Sequence, residues 1–310
     1  MDEIILKTNN LTKFYRKVEA VSNINMTIKK GEIYGLIGNN GAGKTTLIKL
    51  ITGLSKKSSG SIELFGELED RKIEKARNRI GAIVESPGVY LNKSIYENMN
   101  IYRMEKGIAG KECIEDILEK VGILSIKNKK VKSVSLGMKQ RLGIAMALLG
   151  DPEFLILDEP LNAIDPTGII EMRELLKNLN EEKGVTILIS SHILDELSRL
   201  ATSYGIIHKG KLIEELTYKE LKDKCKNFIH IKVDNTSKAT VILNKKLNTS
   251  NFEIDGNNAI KLYDHLDIIG EIAKILVDEG LELQELMIKG DKLENYLSKC
   301  IKEFESDKPQ

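Results

Sequence analysis

The feature that most constrains the fold is a glycine-rich segment between an apolar run and an amphipathic pattern. Residues 38–45 read Gly-Asn-Asn-Gly-Ala-Gly-Lys-Thr and match the phosphate-binding pattern G-x-x-x-x-G-K-[ST]. The apolar run Ile33–Ile37 precedes this segment, and Leu47, Ile51 and Leu54 then fall on one predicted helical face. A strand before the loop and a helix after it are the context that the pattern requires. They argue against the alternative, a glycine-rich turn with an exposed lysine.

Each residue type in this loop has a role in holding phosphate. The glycines let backbone N–H groups approach phosphate oxygens without a Cβ in the way, and the helix that follows adds the positive end of its dipole. We expect Lys44 to contact the β- and γ-phosphates and the Thr45 hydroxyl to bind Mg²⁺. The predicted phosphate contacts are Gly38, Asn39, Asn40, Gly41, Ala42, Gly43, Lys44, Thr45 and Thr46.

A second apolar run ends in two carboxylates. Phe154–Leu157 is followed by Asp158 and Glu159. At the carboxyl edge of a parallel sheet, residues in this position reach the ligand crevice. We expect Asp158 to hold Mg²⁺ and Glu159 to orient and polarise an attacking water. A lone Asp-Glu pair is more often a solvated strand end, but this pair follows both a phosphate-binding loop and four apolar residues.

Composition narrows the classes of function. The chain has 310 residues, of which 41% are hydrophobic and 30% charged, which is enough for a sizeable core without disulfides. A net charge of +1 gives no basic field for DNA or RNA, so we expect no nucleic-acid partner. The three cysteines lie far apart and are expected as reduced thiols. Neither a signal peptide nor an apolar run of roughly 18 residues is recognisable, so work at a membrane requires a partner protein.

The order of apolar patterns predicts two domains. Over residues 1–215, short strands alternate with amphipathic helices, which predicts an α/β fold with a mostly parallel, covered sheet. Residues 86–150 lack long strand patterns and are expected to form a helical subdomain. Over residues 216–310 the pattern becomes β-α-β-β-α-β followed by a helix, which predicts a small accessory α+β domain. Within it we expect a hairpin at Gly256, helices over 237–247, 267–278 and 291–304, and a strand over 281–288.

Five motifs in a fixed order resemble the nucleotide-binding subunits of ABC transporters, over about residues 1–215. They are the loop at 38–45, Val134-Ser135-Leu136-Gly137-Met138 in the place of the family's LSGGQ signature, the Asp158-Glu159 strand end, the D-loop Asn162-Ala163-Ile164-Asp165, and Ser191-His192 with the switch histidine. The resemblance implies a P-loop ATPase of ABC type, with a mostly parallel core sheet, N-terminal antiparallel strands and a helical subdomain.

The resemblance also implies how ATP and Mg²⁺ are held. Two copies, or one copy and a paralogous subunit, pack head to tail. Each ATP then lies between the phosphate loop of one subunit and the signature of the other, where Ser135 and Gly137 contact the γ-phosphate. Asp165 of the D-loop belongs to the same nucleotide site. Glu159 and His192 are the catalytic candidates, because the histidine is expected to bond the γ-phosphate and position the attacking water.

The adenine contact is less specific. Tyr15 sits where the family places an aromatic ring that stacks on adenine. Phe14 is a rival for this role, and ordinary packing of Tyr15 is the other alternative.

One departure from the family pattern concerns the metal. Glu85 stands where the Q-loop glutamine is usual. An ionised carboxylate cannot donate a hydrogen bond and adds negative charge near Mg²⁺, so Glu85 is a candidate metal contact. A neutral substitution in a polar loop is the alternative.

The glutamate at this position, the run Ser135–Leu142 and the short C-terminal domain together resemble the bacitracin-resistance and lantibiotic-immunity exporters. That resemblance implies a motor at the cytoplasmic side of the membrane, bound to a polytopic permease that expels an antimicrobial peptide. An ABC-2-type motor for another lipid, drug or polymer is the alternative, and an ABC ATPase without a permease is a third reading.

A cluster of apolar and aromatic residues follows Glu85 and is the expected contact with the permease. It lies within Ser86–Tyr102 and comprises Val89, Tyr90, Leu91, Ile95, Tyr96 and Tyr102. Exposed residues of this kind would form a docking groove. The alternative is that they form the core of the helical subdomain itself.

Overall fold

The computed structural model describes residues 3–162, 164–225, 227–256, 258–290 and 293–306. The chain divides into two compact units. The larger unit comprises the residues up to Tyr218 together with those from Phe304 onward, and the smaller unit is Lys219–Glu303. Among the described residues, no helix is both long and apolar enough to span a bilayer.

Two sheets form the framework of the larger unit. One is antiparallel, with the order β2-β1-β4, and contains β1 (Ile4–Tyr15), β2 (Val18–Lys29) and β4 (Ser59–Leu64). The other has six strands in the spatial order β5 (Ile80–Ile83), β6 (Phe154–Leu157), β7 (Thr186–Ser191), β3 (Ile33–Ile37), β8 (Ser203–His208) and β9 (Lys211–Thr217). All neighbours in it are parallel except β8 and β9. The apolar central strands fit a parallel sheet that is covered on both faces.

Helices cover these sheets and fill the segment between β5 and β6. They are α1 (Lys44–Ile51), α2 (Asp70–Ala76), α3 (Ile95–Glu105), α4 (Glu112–Lys120), α5 (Leu136–Leu148), α6 (Pro166–Lys183) and α7 (Leu194–Ser198). Helix α3 begins at a capping box, in which the Ser94 hydroxyl accepts from the Glu97 N–H and the Glu97 carboxylate accepts from the Ser94 N–H. Helix α6 ends at Gly184, which has a φ of 65°.

The predicted fold class is confirmed, with one error beside the phosphate loop. The strands expected at Ile33–Ile37 and Phe154–Leu157 are present, and the residues of 86–150 that form regular elements are helical. Leu54, however, does not share the buried face of Leu47 and Ile51. Helix α1 ends at Ile51, Gly53 takes a φ of 82°, and Leu54 is 68% exposed. The glycine ends the helix before the apolar spacing does.

The core of the larger unit fixes the helix that follows the loop. Leu47 and Ile48 on α1 are fully buried against residues of both sheets, including Leu36 of β3 and Ile24 of β2. Burial of each such side chain contributes about 1.5–3 kcal/mol to folding. Helix α1 is therefore held rigidly, and so is the start of the helix, where Lys44 and Thr45 lie.

The smaller unit has its own sheet and core. The strands β10 (Asn227–Val233), β11 (Phe252–Asp255), β12 (Ala259–Leu262) and β13 (Leu283–Gly290) form an antiparallel sheet with the order β11-β12-β10-β13. Helices α9 (Thr236–Leu247) and α10 (Ile269–Asp278) lie wholly in this unit, and most of α8 (Tyr218–Lys224) and α11 (Leu293–Ser306) belongs to it. Ile231, Leu243 and Leu276 are fully buried in a shared core. This is the ferredoxin-like split β-α-β arrangement.

The predicted order of elements in this unit is present, with shifted bounds. The strand expected from residue 281 begins at Leu283, and the helix expected from residue 267 begins at Ile269, after a 3₁₀ turn over Leu266–Ile268. The expected hairpin is present, because β11 and β12 pair with Ile254 opposite Ile260. Asn257 of its turn lies outside the described residues.

Candidate active site

The phosphate loop connects β3 to α1, and two of its glycines have no room for a side chain. A Cβ on Gly38 would lie 2.3 Å from the carbonyl oxygen of Ile207. Gly43 has a φ of 110°, and a Cβ there would lie 2.8 Å from the carbonyl oxygen of Ala20. These contacts hold the loop against neighbouring backbone, so an alanine at either position would force the loop to move.

Lys44 is buried at the base of the loop. It is 5% exposed, and its Nζ donates to the Gly38 carbonyl oxygen at 2.6 Å. The same Nζ lies 3.0 Å from Oε1 of Glu159. A buried ammonium group requires partners of this kind. The Lys44 ammonium group thus lies between the Gly38 carbonyl of the loop and the carboxylate of Glu159, which follows β6.

Asp158 and Thr45 meet beside this lysine. The Thr45 hydroxyl donates to Oδ2 of Asp158 at 2.8 Å, and Asp158 is 2% exposed. A hydroxyl and a carboxylate are oxygen ligands of the kind that Mg²⁺ prefers, and this ion also keeps water and phosphate oxygens. The pair therefore fits Mg²⁺ as a partial site. Among the described residues, no group of three or more His, Cys, Asp and Glu could hold a metal alone.

Ser190 holds both carboxylate residues, and the sequence reasoning missed it. Its hydroxyl donates to Oδ1 of Asp158 at 2.7 Å and accepts from the Glu159 N–H at 2.9 Å. Ser190 lies on β7, next to β6 in the sheet, and is fully buried. The sequence signal for Ser190 was a polar residue near the end of the otherwise apolar strand β7, just before His192.

Glu159 lies between a cation and a histidine. Its Oε2 is 2.7 Å from Nδ1 of His192, while its Oε1 faces Lys44. Glu159 has a φ of 50°, in the left-handed region that non-glycine residues adopt at a cost of about 1–3 kcal/mol. The strained turn after β6 therefore directs this carboxylate at His192. The arrangement places a proton acceptor beside the phosphate loop, with a histidine on its second oxygen.

A cleft of about 430 Å³ opens onto this loop. It is lined by residues 40–46, Glu159, Asn162, Val18, Glu19, Ala20, Lys209 and Gly210. The sequence reasoning named neither Val18, which is 67% exposed, nor Lys209. Val18 offers an apolar surface and Lys209 a cation on this lining. Val18 and Lys209 reach the cleft because of how the strands pair, and no local sequence motif marks them.

Tyr15 is not part of that lining, yet its ring is open to solvent. It is 45% exposed, its hydroxyl lies 3.3 Å from Oγ of Ser55, and the Lys13 ammonium lies 4.9 Å from the ring centroid. Phe14 is similarly exposed. Neither ring is packed in the core, so the stacking role of Tyr15 stays a prediction, with Phe14 as its rival.

The signature and D-loop residues occupy helix starts. The Ser135 hydroxyl caps α5 by accepting from the Met138 N–H at 3.3 Å, and the Asp165 carboxylate caps α6 by accepting from the Gly168 N–H at 3.2 Å. Gly137 lies in the first turn of α5. None of the three predicted contacts, Ser135, Gly137 and Asp165, lines the described part of the cleft around Lys44. Within one chain, the structure does not bring them to the phosphate loop. Ala163 of the D-loop lies outside the described residues.

Glu85 is paired with a lysine of α1. It follows β5 with a φ of 64°, and its Oε1 accepts from the Lys49 Nζ at 2.6 Å. This hydrogen bond raises the pKa of Lys49, although partial burial opposes the rise. The carboxylate is 63% exposed. Its negative charge is thus matched by Lys49, and its contact with a metal stays a prediction.

The chain that carries this site is similar to ATP-binding proteins of transporters. The sequence profile of the ABC transporter family matches residues 21–162. The bacitracin transport ATP-binding protein BcrA of Bacillus licheniformis is 43% identical over 297 residues, 96% of this chain and 97% of that protein. The lantibiotic transport ATP-binding protein SrtF of Streptococcus pyogenes is 48% identical over 214 residues, 69% of this chain and 91% of that protein.

Solved structures show the same fold. The dimeric structure of a post-hydrolysis state of the ATP-binding cassette MJ0796, bound to ADP and Pi, superposes with a TM-score of 0.63 at 26% identity. The match covers 69% of this chain and 99% of that one.

Proposed function

The chain belongs to the ABC transporter family as an ATP-binding subunit, and from that premise we propose that it powers export of an antimicrobial peptide through a separate membrane permease. The support is a relative that matches almost the whole chain, including the smaller unit. Its name describes it as a bacitracin transport protein. A lantibiotic transport protein matches the larger unit. Both names describe antimicrobial peptides as cargo.

The observation that carries the enzymatic proposal is the continuous contact of Lys44, Glu159 and His192, with Thr45 and Asp158 beside it. Lys44 and the loop N–H groups bind the phosphates of ATP. Thr45 and Asp158 would hold Mg²⁺, and the bound ion would supply positive charge to the phosphate oxygens. Glu159 accepts the proton of the attacking water at Oε1 or Oε2.

His192 orients this carboxylate through its Nδ1 contact at 2.7 Å. The contact holds one oxygen of Glu159, and the Lys44 Nζ lies 3.0 Å from the other oxygen. In this proposal, His192 also contacts the γ-phosphate of ATP. The reaction therefore depends on three side chains that the turn after β6, the end of β7 and the start of α1 bring together.

Dimerisation completes the site in this proposal. Ser135 and Gly137 contact the γ-phosphate bound to the partner subunit, since within one chain they do not line the cleft. Leu136 and Met138, beside them, are 49% and 37% exposed and are available to a partner. Either a second copy or a paralogous subunit meets this requirement.

The permease binds beside Glu85, at the cytoplasmic side of the membrane. Tyr90 and Leu91 of the expected docking cluster are 56% and 52% exposed, whereas Ile95 is fully buried. The prediction that Ile95 belongs to an exposed groove is therefore wrong, because this residue starts α3 and packs in the core of the helical segment. Tyr102 of the cluster lines a groove of about 270 Å³ together with Val84, which precedes Glu85.

The test of this proposal is a resistance and co-purification experiment. The chain is expressed in a peptide-sensitive host together with the permease that co-purifies with it from membranes, and growth is measured against bacitracin and a lantibiotic. We expect protection from at least one peptide, and loss of protection with Glu159→Gln. Equal protection by wild type and variant would reject ATP hydrolysis as the source. Protection only from unrelated drugs, lipids or polymers would reject the peptide cargo.

The docking surface is tested in the same membranes. Tyr90→Glu should release the permease during affinity purification yet leave ATP binding unchanged. Leu68→Glu is the matched control, since Leu68 is 59% exposed and lies outside Ser86–Tyr102. Retention of the permease by the Tyr90 variant would place the contact elsewhere.

A further inference from the structure

The two outer strands of the sheet in the smaller unit differ in length and chemistry. Strand β11 has four residues, and two of them, Glu253 and Asp255, are acidic. Strand β13 has eight residues and contains no proline, and its Met287 and Ile288 are 43% and 50% exposed. An edge strand presents unpaired N–H and C=O groups, and short length, charge or proline normally protects it. Strand β11 has such protection, whereas β13 is long, regular and apolar near its centre.

The side chains of β13 alternate between two faces. Leu286 and Ile288 lie opposite Ile231 and Ile229 of β10, on the face that packs against the core of the unit. Glu285, Met287 and Lys289 lie on the other face. Within the described part of the chain, the only strand that pairs with β13 is β10. The opposite edge of β13 therefore offers both an apolar and a charged surface.

We propose that two copies of this chain pair through β13, antiparallel and about a two-fold axis at Met287, to form a continuous eight-stranded sheet. A two-fold axis perpendicular to the sheet keeps each side chain on its own face, so Met287 lies opposite Met287 of the partner subunit. Glu285 then lies opposite Lys289 of the partner subunit, and Leu286 lies opposite Ile288 of the partner subunit. Each of these two pairs occurs twice.

The charges of the strand select this register. Within its own chain, Glu285 lies 3.5 Å from Lys232, 3.5 Å from His230 and 3.7 Å from Lys289. One carboxylate thus faces three basic side chains. Pairing about Met287 gives each Lys289 a second carboxylate, from the partner subunit. An axis at Leu286 would instead place Glu285 opposite Met287 of the partner subunit and leave Lys289 without an acidic neighbour across the strands.

The pairing adds to the nucleotide-held dimer and does not replace it. Two eight-residue strands bury much less than the 1,200–2,000 Å² that is typical of a stable interface, so the contact is weak by itself. When ATP holds two larger units together, the two smaller units belong to one particle, which raises their effective concentration above that of free chains. The inference therefore rests on the dimer of the proposed function, and its test must separate the two.

The experiment is disulfide trapping at the axis. Met287→Cys is made in the full chain with Cys113, Cys225 and Cys300 replaced by serine, together with Glu159→Gln so that ATP stays bound. Directly opposed residues have Cα atoms about 4.5–5.5 Å apart, which is within the reach of a disulfide. On oxidation with diamide in Mg-ATP, most of the protein should become a covalent dimer, and reductant should reverse it.

The matched control is Gln284→Cys, an exposed position on the same strand. In the proposed register this residue is about 20 Å from its own copy, so it should not cross-link. Sedimentation of the reduced protein reports the nucleotide dimer independently. A protein that sediments as a dimer without cross-linking at 287, or that cross-links equally at 284, overturns the β13 pairing. A protein that stays monomeric contradicts the nucleotide dimer. The trapping is then repeated at millimolar protein, where absence of the 287 disulfide overturns the pairing.

Charge reversal gives a second readout. Lys289→Glu in the Met287→Cys background should lower the yield of cross-linked dimer at least several-fold, because two pairs of carboxylates then face each other. Glu285→Lys combined with Lys289→Glu should restore it. A yield unchanged by the single reversal would overturn the register, and cross-linking to another protein in cell extract in place of a second copy would overturn the choice of partner.

Discussion

Replacing Ser190 with alanine removes one hydroxyl that holds both carboxylate residues of the active site. The hydroxyl donates to Asp158 at 2.7 Å and accepts from the Glu159 N–H at 2.9 Å. The contact with Asp158 is inaccessible to water, since Ser190 is fully buried and Asp158 is 2% exposed, and the contact with the Glu159 N–H is partly buried. The alanine leaves Asp158 with the hydroxyl of Thr45 and leaves the Glu159 N–H without an acceptor from β7.

The size of the effect follows from these two bonds. A hydrogen bond to a charged group contributes about 1.5–3 kcal/mol, and a buried N–H without a partner costs about 1–3 kcal/mol. One oxygen atom serves both contacts, so the costs are coupled and do not simply add. We expect a loss of about 3 kcal/mol in the unfolding free energy of the larger unit, or about 6–12 °C in its Tm. ATP turnover should fall by about 10–100-fold, as is typical when a residue that orients a metal ligand is lost.

The assay is thermal unfolding followed by steady-state ATP turnover at several Mg²⁺ concentrations. Ser203→Ala is the matched control, since the Ser203 hydroxyl oxygen is buried without a hydrogen-bond partner. Its removal should leave Tm within about 2 °C of wild type, because no hydrogen bond is lost. If Ser190→Ala matches Ser203→Ala in both Tm and turnover, the reasoning that Ser190 holds Asp158 and Glu159 is wrong.

Other side chains of the larger unit give further predictions. Gly38→Ala should weaken binding of a fluorescent ATP analogue more than tenfold, whereas Gly88→Ala, where a Cβ meets nothing within 4 Å, should bind normally; equal binding would show that the loop tolerates a Cβ. Lys49 and Glu85 should couple by about 0.5–1 kcal/mol in a double-mutant cycle of unfolding, because exposure screens the pair, and 1 M salt should remove most of it. Burial raises the pKa of Tyr34 well above its usual value. Below about pH 10 this phenol is neutral in both the folded and the unfolded chain, and its contribution to the unfolding free energy is complete. As the pH rises further, the phenol ionises only in the unfolded chain, and that contribution is lost. Tyr34→Phe should therefore reduce the alkaline fall in unfolding free energy by about 1.4 kcal/mol per pH unit above pH 10, and an unchanged slope in urea titrations would contradict this.

The sequence was sufficient for the parts of the site that lie on one local element. The loop from Gly38 to Thr45 and the carboxylates of Asp158 and Glu159 could be placed because a strand, a turn and a helix follow one another in the chain. Their contacts with Lys44 and Thr45 then follow from one parallel sheet, in which β6 and β3 lie on either side of β7 and end at the same edge.

Contacts that depend on packing between distant segments were not readable in this way. Ser190 contacts Asp158 and Glu159 because β7 lies beside β6 in the sheet. Lys49 of α1 contacts Glu85, which follows β5. Apolar spacing also misplaced Leu54, and Ile95 lies in the core and not in the exposed docking cluster, as the alternative reading of that cluster allowed. Gly53 ended α1 early, which exposed Leu54. Ile95 is the first residue of α3, and its side chain lies in the core. In the smaller unit, the order of elements was predictable from periodicity, but the bare edge of β13 required knowledge of the strand order.

The most direct test of the account is the association state of the Glu159→Gln variant with nucleotide. Glutamine keeps the size of the side chain but cannot accept the proton, so ATP should persist between the phosphate loop of one subunit and the Ser135 turn of the other. Sedimentation velocity should show a dimer with Mg-ATP, a monomer with Mg-ADP, and a monomer with Mg-ATP when Lys44→Ala is added. A variant that stays monomeric in saturating Mg-ATP, or that dimerises equally with ADP, would contradict the shared nucleotide site.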